Sequence, residues 1–393
     1  MWTFLVLVVV LVGAGIFQLT RAVPQQHVQS TMPATVTVAG QAPQLPWPHE
    51  GQAAVAVGAV GMVGAVGGST PVPIASLAKM MTAYQVLADH PLALHANGPS
   101  VTVTAADVAD YRTRAHNSES VLDVRAGERL TEYQALQALL IPSANNIAAL
   151  LAKWDAKSTS AFVARMNATA KKLGLTGTHY TDPAGQLATT VSTAADQLVL
   201  AQKAMQNPVF AEIVAQPAAT FPVAGKLFNF DYFIGHYGFV GIKTGSNAAA
   251  GGCWAFAANR TVAGKPAVVY GVVLGQHGKN GELIQPALAL GRKLADAVPR
   301  VVQQTTVVAA GTHVGTLTAP WRKSVALVTK NAVTMTTVAG QRFVTTLKLD
   351  TPKSRNVAAG TVVGSVTVGG VTTPVVTAGP AAAPTLSWRL THL

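Results

Sequence analysis

The most pronounced apolar pattern lies at the start of the chain. Phe4 to Phe17 (FLVLVVVLVGAGIF) is unbroken hydrophobic sequence, and no charged side chain precedes Arg21. Fourteen residues match the apolar core of a signal peptide and fall short of the ~20 that a membrane span takes. Thr20-Arg21-Ala22 forms a poor small-x-small cleavage site. Residues 1–22 are therefore expected to be a signal peptide or an N-terminal membrane anchor. The polar, Pro- and Gln-bearing stretch 23–47 reads as a linker.

Beyond it the period changes. Gln52–Val57 and Gly61–Val66 are short apolar runs at hairpin distance. After Pro71 and Pro73 a helix is expected near Ala75, with Leu77, Met80, Tyr84 and Leu87 on one buried face. Thr104 to Tyr111 and Leu130 to Trp154 are also helical in pattern. Thr131 with Gln134 forms a capping box, and Pro142 splits the longer stretch in two. Another helix runs from Ser160 to Leu173 and closes at Gly174. Phe239–Thr244, Cys253–Ala258 and Pro266–Leu274 then read as strands. Helices bracketed by antiparallel strands predict an α+β domain over 48–300, with helices packed on an antiparallel sheet.

The last 93 residues, 301–393, alternate Val and Thr with Gly punctuation. They contain a repeat: Val308 to Thr318 (VAAGTHVGTLT) matches Val357 to Thr367 (VAAGTVVGSVT) at eight of eleven positions, 49 residues apart. Two copies of one unit predict a small all-β C-terminal domain.

Composition adds constraints. Charged residues make up 11% of the 393, and 28 Lys plus Arg against 16 Asp plus Glu give +12. That balance suits work beside polyanions such as anionic lipids or cell-wall polymers. No basic run interleaved with aromatics points to nucleic acid, which is not an expected partner. Cys253 is the single cysteine, so no internal disulfide can form. Without C-x-x-C or H-E-x-x-H, zinc lacks its usual signatures, and no metal or cofactor is expected.

Three short elements can carry chemistry. In Ser76-Leu-Ala-Lys79 the hydroxyl and amine sit at i and i+3 on one helical face. Serine needs a neighbouring base to become a nucleophile, and a lysine neutralised by burial can be that base. The helix start also offers positive dipole to an oxyanion. Ser143-Ala-Asn145, at the Pro142 break, can project a hydroxyl and an amide into a cleft. Ser354-Arg-Asn356 repeats that pattern in the β domain. Lys243-Thr244-Gly245, at the expected end of a strand, pairs carboxylate-binding groups with a glycine against which a substrate backbone can lie. Each element alone is weak; an ordinary helix, a cap and a turn would look the same.

In this order, 67 and 100 residues apart, the three form the set shared by penicillin-binding proteins and class A β-lactamases. With Pro73–Ala83, Leu140–Ala148, Phe162–Asn167, Leu173–Leu175 and Gly241–Gly245, the chain resembles the serine-type D-alanyl-D-alanine carboxypeptidases. These are low-molecular-weight penicillin-binding proteins with a β-lactamase/transpeptidase-like fold. The similarity runs from about Pro48 to Leu274 and more faintly through the β domain. It implies that Ser76 is acylated with Lys79 as its base, that Ser143 relays a proton, and that Asn145 meets the substrate amide. Lys243 and Thr244 would meet the substrate carboxylate, and the backbone N–H groups of Ser76 and Ser246 would form the oxyanion hole. The implied substrates are peptidoglycan stem pentapeptides, trimmed of their terminal D-alanine outside the cytoplasm by a secreted or membrane-anchored enzyme. Association with the membrane or cell wall is implied too, as is covalent inhibition by β-lactam antibiotics.

Two departures stand out. Asp182-Pro-Ala-Gly-Gln186 replaces the usual Asn-Pro-x-Gly-Leu. Where relatives often carry an arginine beyond the last strand, Gln276-His-Gly-Lys279 offers only His277 or Lys279. A β-lactamase is disfavoured because the only Glu between Asn145 and Lys243 is Glu212, outside any E-x-x-L-N. A D,D-endopeptidase acting on cross-links would use the same residues. A non-catalytic wall scaffold would have no need of Ser76, Lys79 and Lys243.

Overall fold

In the computed structural model, which describes residues 2–278 and 281–392, the runs Gln52–Val57 and Gly61–Val66 pair as the expected hairpin. They complete a five-stranded antiparallel sheet with Phe239–Asn247, Gly251–Val262 and Lys265–Gln276, in the order 239–247, 251–262, 265–276, 52–57, 61–66. Every residue of Gln52–Val57 is buried, so its Ala and Val positions need not alternate with polar ones. Strand alternation instead divides Gly251–Val262 between two layers. Cys253, Ala255 and Ala257 enter the main helical core, while Trp254 and Phe256 form an aromatic cluster with Phe239. Lys243 and Gly245 pair opposite Ala255 and Cys253, which turns them toward the helical layer.

That layer is centred on Ala78–Asp89, whose buried residues include Lys79, Met80, Met81, Thr82, Ala83, Gln85 and Val86. The expected single apolar face is therefore too narrow a description: this helix is covered nearly all round, as a central helix must be. Around it lie Glu132–Leu140, Asn145–Ala156, Thr159–Lys172 and Ala194–Ala204. Thr131 and Gln134 make the capping box, and the chain breaks at Pro142 between two of these helices. Ala194–Ala204, Pro208–Val214 and Ile284–Val301 are helices beyond those read from the pattern.

The chain divides into two units, Pro43–Gln303 and a second made of residues 1–42 with 304–393. In the second, the repeat is structural. The copies supply His313–Ala319 and Val362–Val368, each preceded by the same turn. Thr329 Oγ1 donates to Ala309 O (2.7 Å) and Thr377 Oγ1 to Ala358 O (2.8 Å). Gly311 and Gly360 N–H reach Thr329 and Thr377 carbonyls, both at 2.8 Å.

The stretch 23–47 differs from its reading as a linker. His27–Ser30 pairs with His313–Ala319, and Thr35–Thr37 pairs with Arg342–Leu349, forming the two edges of a seven-stranded sheet. Partners 285 to 309 residues away supply their hydrogen bonds. The apolar start forms one helix, Trp2–Thr20, with no buried residue. It is long and apolar enough to cross a membrane.

Candidate active site

Ser76 sits in a 3-10 turn, Ala75–Leu77, that feeds the central helix. Ala75 and Leu77 are buried while Ser76 is half-exposed, so the hydroxyl reaches a surface from a packed floor. Ala75 has φ +45°, a sparsely populated conformation for a residue with a Cβ. The loop at Gly185 packs directly against it: a side chain there would lie 1.7 Å from the Ala75 carbonyl oxygen.

Lys79 lies one turn along and is fully buried. Its Nζ donates to Asn145 Oδ1 (2.6 Å) and Ala184 O (3.0 Å) and stands 2.8 Å from Ser76 Oγ. Burial pushes the ammonium well below its ordinary pKa, and the positive Lys243 adds to this; Asp182 and Glu119 pull the other way. A neutral amine has two N–H groups and one lone pair. Asn145 Oδ1 and the Ala184 carbonyl can only accept, so they take both N–H groups. In that neutral form the lone pair would face the Ser76 hydroxyl.

Ser143 follows Pro142 with φ +63°. Its hydroxyl is buried and finds no hydrogen-bond partner among the described residues, an expensive state unless something else uses it. Asn145 opens the helix Asn145–Ala156, and its N–H donates to Ser120 O (2.7 Å).

Lys243 stands in the middle of a strand rather than at its end, because Phe239–Asn247 continues through Gly245. It is buried, donates to Thr244 O (2.9 Å), and desolvation brings its pKa down to about 7 against the opposing charge of Asp231. Asp231 is buried too, accepts from Trp254 Nε1 (2.9 Å) and Phe233 N–H (3.1 Å), and titrates at about 6 because of burial. Thr244 is buried opposite Trp254, and Ser246 is half-exposed opposite Gly252. Gly245 is a close-approach position: a Cβ there would lie 2.8 Å from Ser76 N. The strand thus comes against the backbone where an oxyanion would form.

The variant loop at Asp182 is a hub. Its carboxylate accepts from the N–H groups of Ala184 (3.1 Å) and Gln186 (2.9 Å) and from Thr190 Oγ1 (2.6 Å). Aspartate holds the turn as an asparagine oxygen would, and adds a negative charge that Lys79 feels.

The structure thus brings Ser76, Lys79 and Asn145 into one hydrogen-bonded group, with Gly245 against it. Sequence reasoning passed over Glu119, which accepts from Asn145 Nδ2 (2.7 Å), over Asp231 and over the Ala184 carbonyl. His277 is exposed and pairs with Glu50 (3.5 Å), while Lys279 lies outside the described residues. Glu212 is occupied by Tyr133 (2.6 Å). Ser354 and Asn356 form a local turn in the other unit.

Residues 62–277, more than half of the chain, match the model of the Peptidase_S11 family, D-alanyl-D-alanine carboxypeptidase. The chain is 38% identical over 156 residues to the D-alanyl-D-alanine carboxypeptidase DacB2 of Mycobacterium tuberculosis, covering 38% of this chain and 52% of that protein. It is 34% identical over 149 residues to a D-alanyl-D-alanine endopeptidase of Pseudomonas aeruginosa, covering 38% and 45%. It thus spans about half the length of these curated relatives. The crystal structure of the Streptomyces K15 DD-transpeptidase superposes with a TM-score of 0.55 at 25% identity, over 68% of this chain and 98% of that one.

Proposed function

The chain belongs to the D-alanyl-D-alanine carboxypeptidase family of serine peptidases, and on that footing we propose that it removes the terminal D-alanine from peptidoglycan stem pentapeptides. The observation that carries this is Lys79, with two fixed acceptors on its nitrogen and its remaining position on Ser76. Ser76 Oγ attacks the carbonyl carbon of the penultimate D-alanine as its proton passes to Lys79 Nζ. The negative oxygen forms between the N–H groups of Ser76 and Ser246. The C–N bond then breaks, D-alanine leaves with a proton returned through Lys79 and Ser143, and water hydrolyses the ester on Ser76. Asn145 aligns the peptide, and Lys243 with Thr244 engages the terminal carboxylate.

A β-lactam ring offers the same serine a strained amide, which supports covalent inhibition. The apolar helix Trp2–Thr20 supports export, either secreted or anchored at the outer face of the cytoplasmic membrane. The similarity to an endopeptidase supports a second reading, cleavage of cross-links by the same residues. The test is D-alanine release from a synthetic stem pentapeptide, compared with cleavage of a cross-linked dimer, with Ser76→Ala as control. Faster cleavage of the pentapeptide is expected; preference for the dimer would favour the endopeptidase, and no turnover of either would reject both.

A further inference from the structure

Glu119 belongs to none of the three motifs yet touches one directly. Its side chain is 9% exposed. Oε2 accepts from Asn145 Nδ2 at 2.7 Å and from Arg114 Nη1 at 3.0 Å. Arg114 is in turn fixed to Asp110, one helical turn back, at 2.8 Å. The other end of the Asn145 amide faces Lys79. We propose that Glu119 is a positioning residue, one that fixes the Asn145 amide with Oδ1 toward Lys79 and so keeps the lysine lone pair on Ser76.

Donors and acceptors decide the orientation of the amide. An asparagine amide can sit either way round in its site, and only its neighbours choose. An ionised carboxylate accepts and cannot donate, so it pairs with Nδ2 and excludes the flipped amide. With the amide flipped, Nδ2 would face the Lys79 nitrogen, and an amine N–H would lose its acceptor. The lone pair would then be free to turn from Ser76 to Asn145. Nδ2 has a second hydrogen, now in a longer contact to Gln186 Oε1 (3.3 Å). A substrate carbonyl can take that hydrogen without displacing Glu119. The inference rests on the reading of Lys79 as the base for Ser76.

Charge gives a signature that packing alone would not. The charged groups that act on Lys79 are Lys243, Asp182, Glu119 and Arg114; Glu119 raises its pKa and Arg114 lowers it. The rate constant for acylation by a fluorescent penicillin should be measured against pH for the wild type, Glu119→Gln and Arg114→Met, beside their melting temperatures. Glu119→Gln should lower the plateau on the order of 10-fold, short of the ~10²-fold that a 1 Å misplacement can cost. Its acid limb should move to lower pH, because the negative charge that favoured the ammonium is gone. Arg114→Met should lower the plateau less and move the limb to higher pH. A Glu119→Gln profile that coincides with wild type, or a lower plateau with an unmoved limb, overturns the proposal. If Glu119→Gln does not fold, an Arg114→Met profile identical to wild type overturns it instead. A wild type that penicillin fails to acylate removes the underlying reading of Lys79 as well, whereas a reactive wild type beside an unaffected variant removes this proposal alone.

Discussion

Lys79 Nζ stands 2.8 Å from Ser76 Oγ, on a side chain fully buried from solvent. The distance is short enough for proton transfer, and burial shifts the lysine toward the neutral base the transfer requires. Lys79→Ala should therefore fold but lose acylation by penicillin by roughly 10²–10⁴-fold. A variant that reacts within a factor of a few of wild type would make Lys79 structural and leave Ser76 needing another base.

Gly245 is required by contact rather than by chemistry. A methyl group there meets Ser76 N at 2.8 Å, so Gly245→Ala must push the strand off the nucleophile. We expect stability to fall by about 1–3 kcal/mol, as in other overpacked sites, and acylation to fall by roughly 10²-fold. Ser246→Ala keeps its backbone N–H and should react within a factor of a few. Stopped-flow acylation and urea melts check both, and equal losses in the two variants would contradict the oxyanion assignment.

If Lys243 is the carboxylate partner, as proposed, it sets a pH dependence on recognition of the substrate acid. Its pKa is lowered to about 7, so the ammonium that pairs with a carboxylate is present below that pH and lost as pH rises through it. A charge-assisted hydrogen bond contributes roughly 1.5–3 kcal/mol, or one to two decades. The ratio of kcat/KM for a peptide ending in D-Ala-D-Ala over its C-terminal amide should therefore be large at low pH and shrink above about 7. Lys79 titration cancels in this ratio, because both substrates use it. Thr244→Val should narrow the gap by harming mainly the acid. A ratio that stays constant with pH counts against Lys243 as the carboxylate partner.

What the sequence made legible follows from how local each signal is. Ser76, Lys79, Ser143, Asn145 and Lys243 lie in short motifs whose spacing survives without a structure. Thr193 before Asp196 and Asn207 before Pro208 cap helices by ordinary start signals, so those two helices were readable from residues alone. His27–Ser30 and Thr35–Thr37 were not, because their polar residues become strands only through partners 285 or more positions away. Glu119 follows the helix Ala105–His116 in a loop with no periodicity, and only the fold brings it to Asn145. Asp231 reads as a turn residue until burial beside Trp254 and Lys243 gives it a role.

The edge strands change how the β unit should be separated. A fragment of residues 43–303 carries the whole candidate site and should fold and be acylated at close to the full-length rate. A fragment of residues 300–393 alone exposes both sheet edges and should aggregate or melt at lower temperature than one that retains 23–42. Circular dichroism and penicillin labelling read both outcomes. A folded 43–303 fragment that fails to react would show that the chemistry depends on the β unit.

Ser76 is expected to become acylated. Incubation with penicillin, followed by intact-mass measurement and proteolytic mapping, tests it without knowledge of the natural substrate. One adduct per chain should appear, on the peptide containing Ser76, and Ser76→Ala should carry none. An adduct on another residue, or an unmodified wild-type protein, would contradict the account.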